Sequence, residues 1–107
     1  MAAENINNAR FAELTKGTKP VLVDFWAPWC GYCRRLGPVY DKIAEEYGDS
    51  IEVKKINIDD EAALSDAANV DVIPTLIMYK DGKPAGSLVN PGSKAAIDEF
   101  IRSCIAG

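Results

Sequence analysis

The chain has 107 residues, 48% of them hydrophobic, with a formal net charge of −4 and no histidine. A chain of that size supports one core and no second one, so a single domain over residues 1–107 is expected, with no disulfide or metal staples. The acidic balance and the lack of any basic run interleaved with aromatics exclude a nucleic-acid binder, no apolar stretch is long enough to span a bilayer, and without histidine there is neither a Cys-His or Ser-His nucleophile pair nor a His-ligated zinc site.

Asn7 or Asn8 can cap a short first helix carrying Phe11 and Leu14, ended by Gly17 ahead of Pro20. Val21–Trp26 reads Val-Leu-Val-Asp-Phe-Trp, a nearly continuous apolar and β-branched run of the kind that forms a central strand covered on both faces. From Cys33 to Tyr47, Leu36, Val39, Tyr40, Ile43, Ala44 and Tyr47 repeat at the spacing of an amphipathic helix, with Pro38 expected to kink it and Gly48 to end it. Ile51–Ile58 alternates like a second strand, and Asp60 is placed to cap a brief helix through Leu64 and Ala68. Thr75–Tyr79, the turn Lys80-Asp81-Gly82 and Ala85–Val89 form a hairpin pattern; after the turn Asn90-Pro91-Gly92, Ser93 starts a last helix with Ile97, Phe100, Ile101, Cys104 and Ile105 on one face. Alternation followed by a hairpin predicts an α/β fold: a mixed central β-sheet, parallel at first and antiparallel at one edge, with helices on both faces.

The chemistry concentrates in Trp29-Cys30-Gly31-Tyr32-Cys33, which puts two thiols one helical turn apart directly after a strand. Such a pair can close and reopen a disulfide, and Cys30 at a helix N-terminus meets unpaired N–H groups and a positive dipole end that favour its thiolate, the attacking form. A static disulfide and half a zinc site are the alternatives, but zinc needs two more ligands and only Cys104 and carboxylates remain. An odd cysteine count suits a reducing compartment. With no basic start or long apolar core in Met-Ala-Ala-Glu-Asn-Ile-Asn-Asn, no secretory signal is read there, and a cytoplasmic protein is expected.

Val21-Leu-Val-Asp24-Phe25-Trp26-Ala27-Pro28-Trp29-Cys30-Gly31-x-Cys33, with Pro38, Lys55-Ile-Asn-Ile-Asp59 and Ile73-Pro74-Thr75 in register behind it, resembles the thioredoxin family over nearly the whole chain. The resemblance implies the thioredoxin fold, with a sheet of four or five strands. It also implies a thiol–disulfide oxidoreductase, a general protein disulfide reductase that uses no cofactor or metal beyond its own redox-active dithiol. Its partners would be a thioredoxin reductase as electron donor and protein disulfides as substrates, and the protein would be a monomer. Three departures stand out: Tyr32 replaces the family's usual proline, the N-terminal strand is shortened to about Glu4-Asn5-Ile6, and Asn90 occupies a position usually held by glycine.

Within that frame Cys30 is the nucleophile and Cys33 the resolving thiol. Asp24, a carboxylate in the middle of an apolar strand, has its pKa raised by burial and accepts the proton of Cys33, with Lys55 tuning it. Without burial, Asp24 would be an ordinary solvated strand residue, and a one-residue slip would put Lys54 in place of Lys55. Pro74 follows a peptide bond that the resemblance makes cis and the residues alone would leave trans. Trp29, Gly31, Tyr32, Ile73, Pro74, Thr75 and Asn90 make up the expected substrate-contact set, with Trp29 as contact surface or core cap. Trp26 reads as packing, Arg34 as a thiolate partner or a solvated charge, and Cys104 as a small buried hydrophobe in preference to a regulatory thiol. Two other functions stay open: a milder thiol oxidant or isomerase, since Tyr32 frees a turn that proline would lock, and a redox-inactive binding module.

Overall fold

The structure, a computed structural model, describes residues 3–106; Met1, Ala2 and Gly107, and with them the ends of the expected 1–107 domain and the first two residues of the leader reading, lie outside the described residues. Nine elements follow one another: β1 (Glu4–Asn5), α1 (Asn8–Thr15), β2 (Val21–Trp26), α2 (Gly31–Tyr47), β3 (Glu52–Asn57), α3 (Ala62–Ala67), β4 (Thr75–Lys80), β5 (Lys83–Val89) and α4 (Lys94–Ala106). The five strands form one mixed sheet in the order β1-β3-β2-β4-β5, with β1 and β2 parallel to β3, and β4 antiparallel to both β2 and β5.

The alternation of side chains along β2 divides the core in two. Leu22 points with Val53, Leu76 and Met78 toward α2 and α4, packing on Leu36, Tyr40, Ile43, Ile97 and Ile101. Val21, Val23 and Phe25 point with Ile56, Ile77 and Tyr79 toward α1 and α3, where Phe11 meets Tyr79 edge-on with ring centroids 4.9 Å apart. The buried Tyr40 hydroxyl ties α2 to the sheet, lying 2.7 Å from the carbonyl oxygen of Lys54 and 3.1 Å from that of Leu22, where it donates its proton. Burial pushes its pKa well above the ordinary range, so it stays a donor.

Local chemistry explains most element ends. Asn7 caps α1, its side-chain oxygen accepting the Arg10 N–H at 2.9 Å; Ser93 does the same for α4 with the N–H of Ala96 at 3.1 Å. Asp81 and Gly82 both have positive φ (55° and 79°), the backbone of a two-residue hairpin loop between β4 and β5. β5 therefore starts at Lys83, ahead of the expected Ala85, and admits Pro84 because it is an edge strand with a register shift opposite Met78 and Tyr79. Asp60 does not cap α3: Glu61 holds the N-cap position and gives no side-chain cap hydrogen bond, its carboxylate accepting instead the N–H of Asn8 at 2.6 Å. α2 runs unbroken from Gly31 through Pro38 to Tyr47, starting two residues before the apolar pattern does.

Candidate active site

The site lies at the C-terminal end of β2. The chain leaves the strand at Trp26, turns through Ala27-Pro28-Trp29 with the Cys30 N–H donating to the Ala27 carbonyl at 3.1 Å, and enters α2 at Gly31. Cys30 is the N-cap of α2, in extended conformation, and its Sγ accepts the N–H of Cys33 at 3.2 Å. The helix thus spends its first-turn donor on the sulfur, as it would on a capping serine or aspartate, and its positive end faces the same atom.

Both cysteines are free thiols packed with Ala27, Trp26, Ile58 and Ile73. Exposure hardly separates them, Cys30 being 7% and Cys33 5% exposed. The two differ in surroundings. Burial first, and then the hydrogen bond with Cys30, push the Cys33 thiol up to about 12, so it does not ionise unaided at neutral pH.

Asp24 is 1% exposed, and its Oδ1 has no hydrogen-bond partner among the described residues. Burial raises its pKa from 3.8 to about 7, against a smaller lowering by the Lys55 charge. A cleft of about 240 Å³ lined by Asp24, Trp26, Cys33, Arg34, Gly37 and Lys55 joins the acid to the second thiol and is roomy enough for water. Register settles the lysine: Asp24 pairs with Lys55, whereas Lys54 on the opposite face binds Glu4 and Glu52. Trp26 packs beneath Lys55 and donates its indole N–H to the Asn5 side chain at 2.7 Å.

Across from the dithiol, the Ile73-Pro74 bond is cis and the Ile73 carbonyl lies 3.8 Å from Cys30 Sγ. Thr75, buried, donates its hydroxyl proton to the Val72 carbonyl, and Asn90 donates its N–H to the Pro74 carbonyl at 2.8 Å. Asn90 has φ +44°, the left-handed region that glycine occupies most cheaply and asparagine tolerates. Trp29, 65% exposed, does not cap the core; its indole N–H donates to the Asp59 carboxylate at 3.0 Å. Tyr32 is 57% exposed, and Gly31 is open, with only the Arg34 guanidinium within 4 Å of where a Cβ would stand. Ile73 and Pro74 thus lie beside Cys30, and Asn90 joins them through Pro74 and lines one groove with Tyr32, whereas Thr75 is buried.

Arg34, which lines the cleft, is exposed and donates to the Pro28 carbonyl at 2.8 Å. Cys104 is buried on α4 against Phe100 and Gly86, clear of the site. Two neighbours carried no role in the sequence reading: Asp59, whose signal was its place after Lys55-Ile-Asn-Ile, and Arg35, which had none beyond following the dithiol. Among the described residues no cluster of His, Cys, Asp or Glu is placed to hold a metal, and no helix is long and apolar enough to cross a membrane.

The thioredoxin family model matches residues 2–103. A thioredoxin of Porphyra purpurea is 39% identical over 107 residues, covering 99% of this chain and 100% of its own. Thioredoxin 1 of Synechococcus elongatus is 40% identical over 96 residues, 89% of this chain and 90% of its own. Among solved structures, the Malassezia sympodialis thioredoxin (Mala s 13) superposes with a TM-score of 0.87 at 28% identity, covering 95% of this chain and 90% of that one.

Proposed function

Because the chain belongs to the thioredoxin family and is a thiol–disulfide oxidoreductase, we propose that it acts as a general protein disulfide reductase in which Cys30 attacks and Cys33 resolves. The observation that carries the assignment of roles is the cap: Cys30 Sγ accepts a first-turn N–H of α2, that of Cys33, at 3.2 Å, while Cys33 is held as a thiol by burial.

Cys30 thiolate attacks one sulfur of the substrate disulfide; the S–S bond breaks, one substrate thiolate leaves and a mixed disulfide forms. Cys33 then loses its proton to Asp24, attacks Cys30 Sγ and expels the second substrate sulfur. Two electrons have passed to the substrate, and the protein holds a Cys30–Cys33 disulfide. The second step is intramolecular, so the mixed disulfide is short-lived. Asp24 suits the transfer because a pKa of about 7 keeps a useful fraction ionised at neutral pH. Lys55 limits how far burial raises it.

Trp29, Gly31, Tyr32 and the Ile73-Pro74-Thr75 segment form the face that receives an extended stretch of substrate, with Asn90 supporting the proline loop. No cofactor takes part, and a thioredoxin reductase returns the electrons. The reading includes a single domain over residues 1–107 working as a monomer in the cytoplasm. A redox-inactive binding role has no support in a site that keeps both thiols and the buried acid.

The test is insulin-disulfide reduction recharged by dithiothreitol, together with Cys33→Ser. Wild type should turn over, and the variant should accumulate insulin chains disulfide-linked to Cys30. A Cys33→Ser protein that captures nothing, or a Cys30→Ser protein that still reduces insulin, overturns the assignment.

A further inference from the structure

A groove of about 360 Å³ opens beside the dithiol, between the first turns of α2 and the loop that leads into α4. One wall starts inside the Cys30–Cys33 loop with Tyr32 and continues through Arg35 and Val39; the other is Asn90, Pro91 and Ser93. The second wall is bonded to the site itself, since the Asn90 N–H donates to the Pro74 carbonyl and the preceding carbonyl, of Ile73, lies at Cys30 Sγ. The groove is thus continuous with the backbone around the attacking sulfur.

Its charge is one-sided. The Arg35 guanidinium lies 4.7 Å from the centroid of the exposed Tyr32 ring, a stacking that limits its freedom before anything binds. Among the described residues Arg35 makes no ion pair, and no carboxylate lines the groove. Lys94, just past Ser93, is held by Glu46 and Asp98, which leaves Arg35 as the available cation. The positive end of α4, capped by Ser93, points the field the same way. In a protein of net charge −4 this is a local reversal of sign.

Resting on the disulfide-reductase reading, we infer that this groove is a subsite for an acidic side chain, Asp or Glu, standing beside the attacked cysteine of the substrate, with Arg35 as the specificity-determining residue. The planar guanidinium receives the carboxylate in bidentate fashion, and its stacking on Tyr32 holds it at the groove wall. A lysine at the same substrate position meets like charge.

Three otherwise identical disulfide-bonded peptides, with Glu, Gln or Lys next to the cysteine, test this under dithiothreitol recharging. Wild type should reduce the Glu peptide with a kcat/KM about threefold to fivefold above the Gln peptide, the range of one partly exposed ion pair, and the Lys peptide more slowly still. The Glu/Gln ratio should fall to about one in Arg35→Gln, reverse toward Lys in Arg35→Glu, and shrink with added salt. Arg35 is exposed, so the variants are expected to fold, and circular dichroism checks it. Equal rates on the three peptides, or a Glu preference that survives Arg35→Gln, overturn this inference alone. Failure of wild type to reduce any of them overturns it together with the reductase reading.

Discussion

Asp24 and Lys55 are register partners on adjacent parallel strands, yet the Lys55 ammonium sits over the Trp26 ring, 4.8 Å from its centroid, and Asp24 Oδ1 keeps no hydrogen-bond partner among the described residues. The carboxylate is therefore near a charge without being neutralised by it. That arrangement leaves the acid able to gain and lose a proton near neutral pH, at a cost to the fold.

The cost depends on pH. The folded-state pKa of Asp24 is raised from 3.8 to about 7, so between those values the unfolded chain holds fewer protons than the folded one and stability falls as pH rises. The penalty is absent below the lower value and complete above the upper one. Asp24→Asn should be more stable than wild type by about 3 to 4 kcal/mol at pH 8, with the difference narrowing toward pH 5. Urea unfolding at the two pH values measures it; a gap that does not change with pH contradicts the raised pKa.

The same variant should be slow at the second chemical step. With Cys33 pushed up to about 12, losing the base should lengthen the lifetime of the mixed disulfide by about a hundredfold, while capture of substrate by Cys30 is far less affected. Acid-quenched time courses separate the two steps. In wild type, resolution should accelerate through about pH 7 as Asp24 ionises, and that inflection should vanish in Asp24→Asn.

Tyr32 occupies the first turn of α2, where a proline is tolerated because it lacks only an N–H that the helix does not use. Fixing φ there removes freedom from the open dithiol and so favours the closed disulfide. At about 0.4 to 1 kcal/mol for such a restriction, Tyr32→Pro should lower the reduction potential by roughly 10 to 20 mV, making the protein the stronger reductant. Equilibration of both proteins with glutathione is the measurement; an unchanged or higher potential in the variant refutes it.

Gly86 in β5 lies under α4, where a Cβ would stand 3.1 Å from Cys104 Sγ and 3.3 Å from the Phe100 ring. Gly86→Ala should cost about 1 kcal/mol by overpacking. Because the sulfur is the nearest atom, Gly86→Ala with Cys104→Ala should be less destabilised than the sum of the two single variants, by about 0.5 kcal/mol or more. Thermal unfolding of the four proteins closes the cycle. Additivity would show that Phe100, not the thiol, takes the strain.

Patterns confined to neighbouring residues were readable in the chain. The apolar run of β2, the helical spacing from Leu36 to Tyr47, the caps at Asn7 and Ser93 and the hairpin turn at Asp81-Gly82 each arise from propensity and periodicity within a few positions. The start of α3 was less legible: Glu61 and not Asp60 holds the N-cap position, without a side-chain cap hydrogen bond, and its carboxylate accepts the N–H of Asn8, 53 residues away, a contact no local pattern announces.

The sequence by itself determined that two thiols stand one turn apart after a buried strand with a carboxylate inside it, and, through its likeness to a family, that Ile73-Pro74 belongs beside them. Only the tertiary structure decided how those groups behave. It set the Ile73 carbonyl against Cys30 across 43 residues, put Lys55 and not Lys54 on the face of Asp24, sent Arg34 to Pro28 and laid Arg35 on Tyr32. The reason is physical: periodicity and capping act through the nearest turns of chain, whereas desolvation and charge are summed over everything that packs around a group, whatever its distance in sequence.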